Sequence, residues 1–420
     1  MTFAGLDSIR RPRTWWISLA VALFVPALAG SAPIPLIRVG LLLGVPEVEI
    51  GSDGEWAVGI LHSGLAPTRA DQPWRFTSRG EGIQVWDPSG QMRANVPDTL
   101  FAFPTRPDSH LEVDGRGYRG ELLLFSNGDG IVVVNVIDLE SYIAGVVPLE
   151  IGAQPPARVE AIKAQAVAAR SYTLAMLRRW AARGFDLLAT VEDQAYGGVD
   201  TEVDWCTQAT QATRGVVAVE GSGRPIVSYY SSTCGGHSAT PSEVWTRAGA
   251  DAPYLQGVRC KTDRVSDSFC AISPRYTWNE VWEGDAFEEM LDRTLSKQIT
   301  SWDRQKYGRL RSMEIAARTP SKRVGRLVLE FDHGTVELGG DPIRWAIRRP
   351  NGEPLRSAML TKVALDREGD RVQRVGIEGR GFGHGIGLCQ FGAMGMSERG
   401  YDYRDILRFY YRGTNVLRFY

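Results

Sequence analysis

A run of small and apolar residues at helical spacing dominates the middle of the chain. Apolar side chains recur every three or four positions from Val159 to Trp180, which predicts a helix with a buried face. Several interior positions of this run are alanine, namely Ala164, Ala166, Ala168 and Ala169. Small side chains let another element pack close to the helix axis. The run therefore predicts a buried central helix that the rest of the fold must accommodate.

One carboxylate, Glu150, lies in the segment that leads into this helix. Glycine and proline surround it, and Pro155 and Pro156 suit the first turn of the helix that follows. We therefore expect Glu150 to lie in a loop. Two interpretations of this carboxylate are open: a solvated loop charge, which composition alone favours, and a positioned catalytic acid.

Chain length and charge limit the classes of function. A chain of 420 residues is long for one domain and suggests two or three. Lys plus Arg number 48 and Asp plus Glu number 49, so the net charge is −1. Nucleic-acid binding requires a basic surface, so this balance argues against a nucleic-acid partner. It favours a neutral or modestly charged ligand.

The N-terminus has the composition of an export signal. Arg10, Arg11 and Arg13 precede an uncharged apolar run from Trp15 to Ala29, which ends in an A-x-A sequence. We expect an exported chain in the periplasm, in the cell wall or on the outer face of the cytoplasmic membrane. A cleaved signal and a retained membrane anchor both stay open, because no charge follows until Arg38.

The order of the patterns predicts an α+β fold. We expect a signal or anchor at 1–32 and a β-rich N-terminal domain at 33–125, where short apolar runs alternate with turns. A mixed α/β catalytic core follows at 126–280, with Glu150, the buried helix and a substrate groove. An α/β insertion at 281–365 separates it from 366–420, which supplies a Gly-rich His loop and the closing helix of the core.

The histidine and cysteine residues offer few candidate sites. His384 lies in a loop where glycine alternates with other residues, and it either lines a site or bonds to backbone in a tight turn. Cys234 and His237 have the C-x-x-H spacing of two zinc ligands, but no second tight pair adjoins them. Cys234, His237, Cys260 and Cys270 together could form a zinc site, but we favour disulfides, with Cys260 and Cys270 bridging a polar loop, and we expect no cofactor. The remaining cysteine, Cys206, is expected to be a small buried apolar residue.

Three ordered blocks of sequence resemble one known family. The first block is YIAGVVPLEIG with PARVEAIKAQAVAARSYTLA, and the second is DQAYGGVD continuing to IVSYYSSTCGGHSA. The third is GRGFGHGIGLCQFGAMGMSERGYDYRDILRFYYRGT. Together they resemble the stage II sporulation protein D and amidase-enhancer family, over roughly Leu36 to Val416. Members of that family act on bacterial cell wall.

The resemblance implies an activity and a catalytic residue. In sporulation members the Glu after the V-P pair, here Glu150, is the catalytic acid of a lytic transglycosylase. The implied reaction cleaves the MurNAc–GlcNAc bond of peptide-stripped peptidoglycan strands and leaves a 1,6-anhydro-MurNAc end. We expect five further residues of the matched blocks to contact substrate, namely Gln165, Tyr172, Ser231, His384 and Gln390.

The resemblance also leaves alternatives. Some sporulation members hold zinc through Cys and His near Asp193–Tyr196, but this chain has DQAYGG there, so that site does not carry over. The family also includes proteins named as enhancers. A non-catalytic, wall-binding enhancer of a partner N-acetylmuramoyl-L-alanine amidase is therefore the alternative function. The expected partners are glycan strands and, in the second case, the amidase.

Overall fold

The computed structural model describes residues 32–61, 63, 66–97, 99–245, 251–263 and 266–420. The apolar segment from Trp15 to Ala29, on which the prediction of export rests, lies outside these residues. Within the described ranges, no helix has both the length and the apolar character needed to cross a bilayer.

Short strands form the first part of the described chain, as the turn-rich sequence predicts. Strands β1 to β12 are Leu36–Val45, Glu47–Ser52, Trp56–Ile60, Thr68–Ala70, Trp74–Arg79, Gly82–Trp86, Met92–Val96, Leu100–Pro104, Leu111–Val113, Arg116–Tyr118, Glu121–Ser126 and Ile131–Asp138. One sheet has the order β10-β9-β2-β5-β6-β7. A second sheet has seven strands in the order β13-β1-β12-β11-β8-β3-β4. Its β-branched strand β12 pairs with β1 on one side and with β11 on the opposite side, so β12 is central and buried.

Strand β12 leads directly into the helix that carries Glu150. The Asp138 carboxylate caps this helix by accepting hydrogen bonds from the Glu140 and Ser141 amides, both at 3.0 Å. Helix α1 then runs from Leu139 to Ile151. Glu150 therefore lies in the last turn of a helix, and the expectation of a loop at this position is wrong.

The physical reason lies in the burial of α1. Nearly every side of the helix is covered, so its sequence shows no alternation of polar and apolar residues. Gly145 and Pro148 suggest a break, but both lie within the helix. A Cβ added at Gly145 would lie 2.7 Å from the Tyr196 ring, so glycine permits close packing there. The Gly152 amide donates to the Pro148 carbonyl at 3.1 Å and closes the helix.

The predicted central helix is present and buried. Helix α2 runs from Val159 to Ala175, five residues shorter than the apolar spacing suggests, and its interior alanines have no exposed surface. Arg170 is also fully buried, and its guanidinium donates to both Glu140 carboxylate oxygens at 2.9 and 2.7 Å. This ion pair joins α2 to α1.

The rest of the chain alternates short strands and helices. Helices α3 to α9 are Asp204–Ala212, Pro241–Val244, Gly284–Gln298, Arg304–Tyr307, Pro342–Ala346, Gln390–Ser397 and Tyr403–Tyr410. Strands β13 to β23 are Leu187–Leu188, Val216–Val219, Tyr230–Ser231, Thr277–Glu283, Leu310–Arg318, Val324–Phe331, Gly334–Leu338, Leu360–Glu368, Arg371–Arg380, Leu388–Cys389 and Asn415–Arg418. Single 3₁₀ turns occur at Pro156–Arg158, Ala181–Arg183, Val199–Thr201 and Phe269–Ile272. The content of strands and helices confirms the α+β prediction.

Two large apolar cores organise these elements, and a small third cluster lies around Val132, Val134, Phe185 and Leu188. The larger core joins the N-terminal sheets to α1, α2, α8 and α9. A second core lies among the three-stranded sheets β16-β21-β20 and β17-β18-β19 and helix α5, with Phe287, Leu327 and Ile377 among its buried residues. After this second core the chain returns to the first, because β22 pairs in parallel with β15 and β23 pairs with β14.

Candidate active site

Glu150 lies where the end of α1 meets a loop from elsewhere in the chain. Its side chain is partly buried, and its Oε1 accepts a hydrogen bond from the Ala195 amide at 2.8 Å. Burial raises the pKa of Glu150 from an ordinary value of 4.5 to about 7, against the opposing effect of the hydrogen bond from the Ala195 amide and of the nearby Tyr230 hydroxyl. A carboxyl group with this pKa is able both to give and to accept a proton near neutral pH.

The loop that holds Glu150 is anchored by a buried carboxylate. Asp193 accepts hydrogen bonds from the Leu188 amide at 2.9 Å, the Trp180 indole at 2.8 Å and the Tyr172 hydroxyl at 3.1 Å. Arg179 forms an ion pair with the same side chain, which has no exposed surface. Tyr172 therefore reaches the loop two residues before the amide that contacts Glu150.

Gln194 connects this loop to strand β15. Its amide nitrogen donates to the Thr173 hydroxyl at 2.9 Å and to the Tyr142 hydroxyl at 3.3 Å. Its amide oxygen accepts from the Tyr230 hydroxyl at 2.9 Å. Gln194 therefore fixes the position of the Tyr230 hydroxyl, which lowers the pKa of Glu150.

Ser231 and His384 lie together beside Tyr230. The Gly385 amide donates to the Ser231 hydroxyl at 3.1 Å, since β15 and β22 run side by side. The Ile386 amide donates to Nδ1 of His384 at 3.0 Å, so the ring carries its proton on Nε2. The ring centroid lies 5.5 Å from that of Trp245 and 6.3 Å from that of Tyr229.

The environment of His384 keeps the ring neutral. Burial, together with the charge of Arg344, lowers the pKa of His384 from 6.5 to about 4. The Tyr230 carbonyl accepts a hydrogen bond from the ring and acts in the opposite direction. Because Nδ1 accepts from the Ile386 amide, both ring nitrogens of His384 hydrogen-bond to backbone groups. This matches the interpretation in which His384 bonds to backbone in a tight turn. His384 therefore has no free ring nitrogen beside its aromatic neighbours, and its plane is tilted by 37° from that of Trp245.

Gln165 and Gln390 form a polar contact between helices α2 and α8. The Gln390 amide nitrogen donates to Oε1 of Gln165 at 3.3 Å, and both side chains are buried. Among the residues that the structure describes, the amide nitrogen of Gln165 has no hydrogen-bond partner. A buried donor without a partner costs free energy, which a ligand oxygen would recover. Gln165 precedes Tyr172 by seven residues, two helical turns, so the two lie on the same face of α2.

The structure thus brings together residues from all three sequence blocks. Tyr230 contacts Glu150, and the adjacent Ser231 contacts the loop of His384. Sequence analysis did not select Tyr230, Gln194 or Ala195. All three lie inside the quoted blocks, but their types alone carry no signal of catalysis.

Comparisons with known proteins identify the family. A family model described as stage II sporulation protein matches residues 127–219, and a domain of unknown function (DUF8618) matches residues 239–387. An uncharacterized protein of Brachyspira hyodysenteriae is 30% identical over 310 residues, which cover 73% of each chain. Stage II sporulation protein D of Bacillus subtilis is 28% identical over 298 residues, 67% of this chain and 75% of that protein. The chain belongs to the stage II sporulation protein D family.

Another relative carries a different name. The protein called amidase enhancer in Bacillus subtilis is 27% identical over 292 residues, which cover 65% of this chain and 40% of that protein. The match to the stage II sporulation protein model includes α1, α2 and the Asp193 loop. Ser231 lies between the two matched regions, and His384 lies within the domain of unknown function.

The cysteines of this family member do not follow the disulfide prediction. All five are free thiols, so the expected Cys260–Cys270 bridge is not formed. The prediction of a buried Cys206 is confirmed. The other member of the C-x-x-H pair makes a local contact: Nδ1 of His237 lies 2.7 Å from the backbone carbonyl of the adjacent Ser238. Cys234 instead lies near Cys260 and Cys270, a contact that short-range sequence spacing cannot reveal.

A separate cleft lies away from Glu150. It has a volume of about 650 Å³, and none of the predicted site residues lines it. Its walls are rich in basic side chains, contributed by Arg259, Lys261, Arg318, Lys322 and Arg380. The cleft is therefore distinct from the candidate active site.

Proposed function

We propose that this chain is an exported lytic transglycosylase that cleaves MurNAc–GlcNAc bonds in peptidoglycan, with Glu150 as its general acid and base. The observation that carries the proposal is the environment of Glu150. It is a partly buried carboxyl group with a pKa of about 7, and it is oriented by the Ala195 amide. Family membership supports a substrate in the cell wall, and glycan strands stripped of peptides fit the modest net charge.

One carboxyl group is sufficient for this reaction. Ordinary glycosidases use a pair, one as acid and the other as nucleophile or as base for water. Here the proton of Glu150 passes to the glycosidic oxygen as the bond from C1 of MurNAc breaks. The C6 hydroxyl of the same sugar attacks C1, and its proton passes to the Glu150 carboxylate. The 1,6-anhydro ring forms, no water is consumed, and the acid is restored.

The pKa of Glu150 suits both proton transfers. A carboxyl group with an ordinary pKa would be ionised at neutral pH and unable to protonate the leaving oxygen. A value near 7 keeps a large fraction protonated and leaves a stronger base after the first step. The Ala195 amide holds one oxygen at 2.8 Å, which restricts rotation of the carboxyl group.

We assign the remaining predicted residues to substrate binding and support. Gln165, Gln390 and Ser231 offer amide and hydroxyl groups to sugar oxygens, and the unpartnered amide nitrogen of Gln165 is available to donate. Tyr172 supports the loop through Asp193. The neutral ring of His384, beside Trp245, offers an apolar face of the kind on which sugar rings stack.

Product analysis on purified glycan strands tests the proposal. The full-length chain should release 1,6-anhydro-MurNAc ends, identified by mass spectrometry, and Glu150→Gln should abolish this release. Glu192→Gln is the matched control, because Glu192 is an exposed carboxylate near the same loop and its loss should leave activity unchanged. Full activity in Glu150→Gln, with the fold intact by circular dichroism, would refute the assignment.

The second candidate is a non-catalytic protein that binds wall and stimulates a partner amidase. The similarity to a protein named amidase enhancer favours it. This hypothesis predicts no anhydro products from the chain alone, and faster release of peptides from MurNAc when a purified N-acetylmuramoyl-L-alanine amidase is present. It also predicts equal stimulation by the wild type and by Glu150→Gln.

A further inference from the structure

Four cysteines from distant parts of the chain converge at one buried point. We call them the four-cysteine cluster, and they are Cys234, Cys260, Cys270 and Cys389. Their sulfur atoms all lie within 4.8 Å of one another, and all four side chains are buried. The cluster lies at the start of α8 and next to β15, since Cys389 pairs with Ser231.

The spacing of the sulfur atoms matches metal coordination better than a disulfide. The Sγ atoms of Cys234 and Cys270 are 3.7 Å apart. A disulfide would require about 2.05 Å. Four sulfurs placed tetrahedrally at about 2.3 Å from a zinc ion lie about 3.8 Å from one another. The observed separation is that of two corners of such a tetrahedron.

Backbone amides point at the sulfurs, as they do around thiolate ligands. The Cys234 amide donates to the sulfur of Cys389 at 3.2 Å, and the Gly392 amide donates to the same sulfur at 3.4 Å. Such hydrogen bonds orient thiolate ligands and offset their negative charge. A Cβ at Gly392 would lie 2.8 Å from the sulfur of Cys260, so glycine leaves room for the cluster.

A buried cation beside the cluster provides independent support. Arg323 is only 1% exposed, and it donates to the carbonyls of Cys234 and His237 at 3.1 and 2.9 Å. Among the described residues, its Nε has no hydrogen-bond partner.

The negative charge of a metal–thiolate centre would compensate the buried positive charge of Arg323. A buried cation without a compensating anion is costly. Four thiolates around a divalent ion carry a net charge of −2, which would compensate Arg323 through its contact with Cys234. Four neutral thiols carry no charge and would not compensate Arg323. A Cβ at Gly385 would lie 1.7 Å from Nη2 of Arg323, so the Gly-rich loop is shaped to admit the guanidinium.

We propose that the four-cysteine cluster binds one zinc ion in a closed, structural site. On binding, each thiol loses its proton and the four sulfurs fill the tetrahedral coordination sphere, so no position is left for water or substrate. The ion would join the Cys234 turn, the Cys260–Cys270 segment and the start of α8. The site goes beyond the proposed function and does not depend on it.

Metal analysis of the full-length chain tests the proposal. The purified protein should contain about one zinc ion per chain, and zinc-edge X-ray absorption should show four sulfur ligands at about 2.3 Å. Cys270→Ser should lose most of the bound zinc. Cys206→Ser is the matched control, because Cys206 is equally buried but lies outside the cluster, and it should keep the metal.

Several results would overturn the proposal. Intact disulfides among the four cysteines, detected by mass spectrometry of the unreduced protein, would exclude a tetrathiolate site. Stoichiometric iron in place of zinc would refute the metal assignment. If Cys270→Ser does not fold, the absorption spectrum of the wild-type protein decides alone, and fewer than four sulfur ligands would reject the site.

Discussion

Replacing Glu150 with glutamine should stabilise the fold at high pH and leave it nearly unchanged at low pH. Burial raises the pKa of Glu150 from 4.5 to about 7, so the folded protein holds this proton more tightly than the unfolded chain does. Between these values the unfolded state loses the proton first. Stability is therefore highest below the unfolded pKa and falls as pH rises through the folded pKa.

The size of the effect follows from the shift. Each pKa unit corresponds to about 1.4 kcal/mol, so a rise from 4.5 to about 7 costs the folded state about 3 kcal/mol once Glu150 is ionised. Glutamine keeps the shape and an oxygen that accepts from the Ala195 amide, but it has no charge to bury. The variant should therefore gain about 3 kcal/mol over the wild type near pH 8 and almost nothing near pH 4.

Urea unfolding followed by tryptophan fluorescence across this pH range measures the difference. Wild type, Glu150→Gln and the exposed control Glu192→Gln should have equal slopes against urea, so that midpoints report stability. Glu192→Gln should follow the wild type at every pH. The burial argument would be refuted if the free energy of unfolding of Glu150→Gln differed from that of the wild type by the same amount at pH 4 and at pH 8.

Three other predictions follow from the same contacts. Release of anhydro products should be fastest below pH 7 and fall about tenfold per pH unit above it, because Glu150 must be protonated; a rate that rises above pH 7 would contradict this. Tyr230→Phe removes a hydroxyl group that lowers the pKa of Glu150, so the alkaline decline in rate should move to higher pH, whereas an unchanged pH profile would exclude this role. Arg170→Met leaves Glu140 buried without its cation and should lower the free energy of unfolding by about 3–5 kcal/mol in urea titrations; adding Glu140→Gln should recover part of the loss.

Elements with a clear periodicity could be predicted from the sequence. The buried helix α2 follows from the spacing of its apolar residues, and its alanines indicate close packing. Strand β12 follows from a β-branched run. Helix α1 could not be predicted in the same way, because a helix covered on nearly every side has no polar face to mark its period. Its glycine and proline suggest a loop at Glu150.

The surroundings of the candidate acid depend on contacts between distant residues. Glu150 meets the Ala195 amide across 45 residues, and Tyr230 meets Gln194 across 36. Cys389 accepts from the Cys234 amide across 155 residues. Local spacing carries no signal for such contacts, so the sequence could group Cys234, Cys260 and Cys270 with His237 but not with Cys389. Resemblance to a family indicated Glu150, but only tertiary packing explains its pKa.

The pairing of β15 with β22 has a consequence for the order in which the molecule folds. The two strands lie more than 150 residues apart, and contacts of such long sequence separation form slowly. During synthesis, α1 emerges well before the strand that completes the wall beside Tyr230 and Ser231. A nascent chain therefore carries Glu150 before the residues that surround it have been made. The environment that raises the pKa of this carboxyl group is complete only after the C-terminal segment has joined the core.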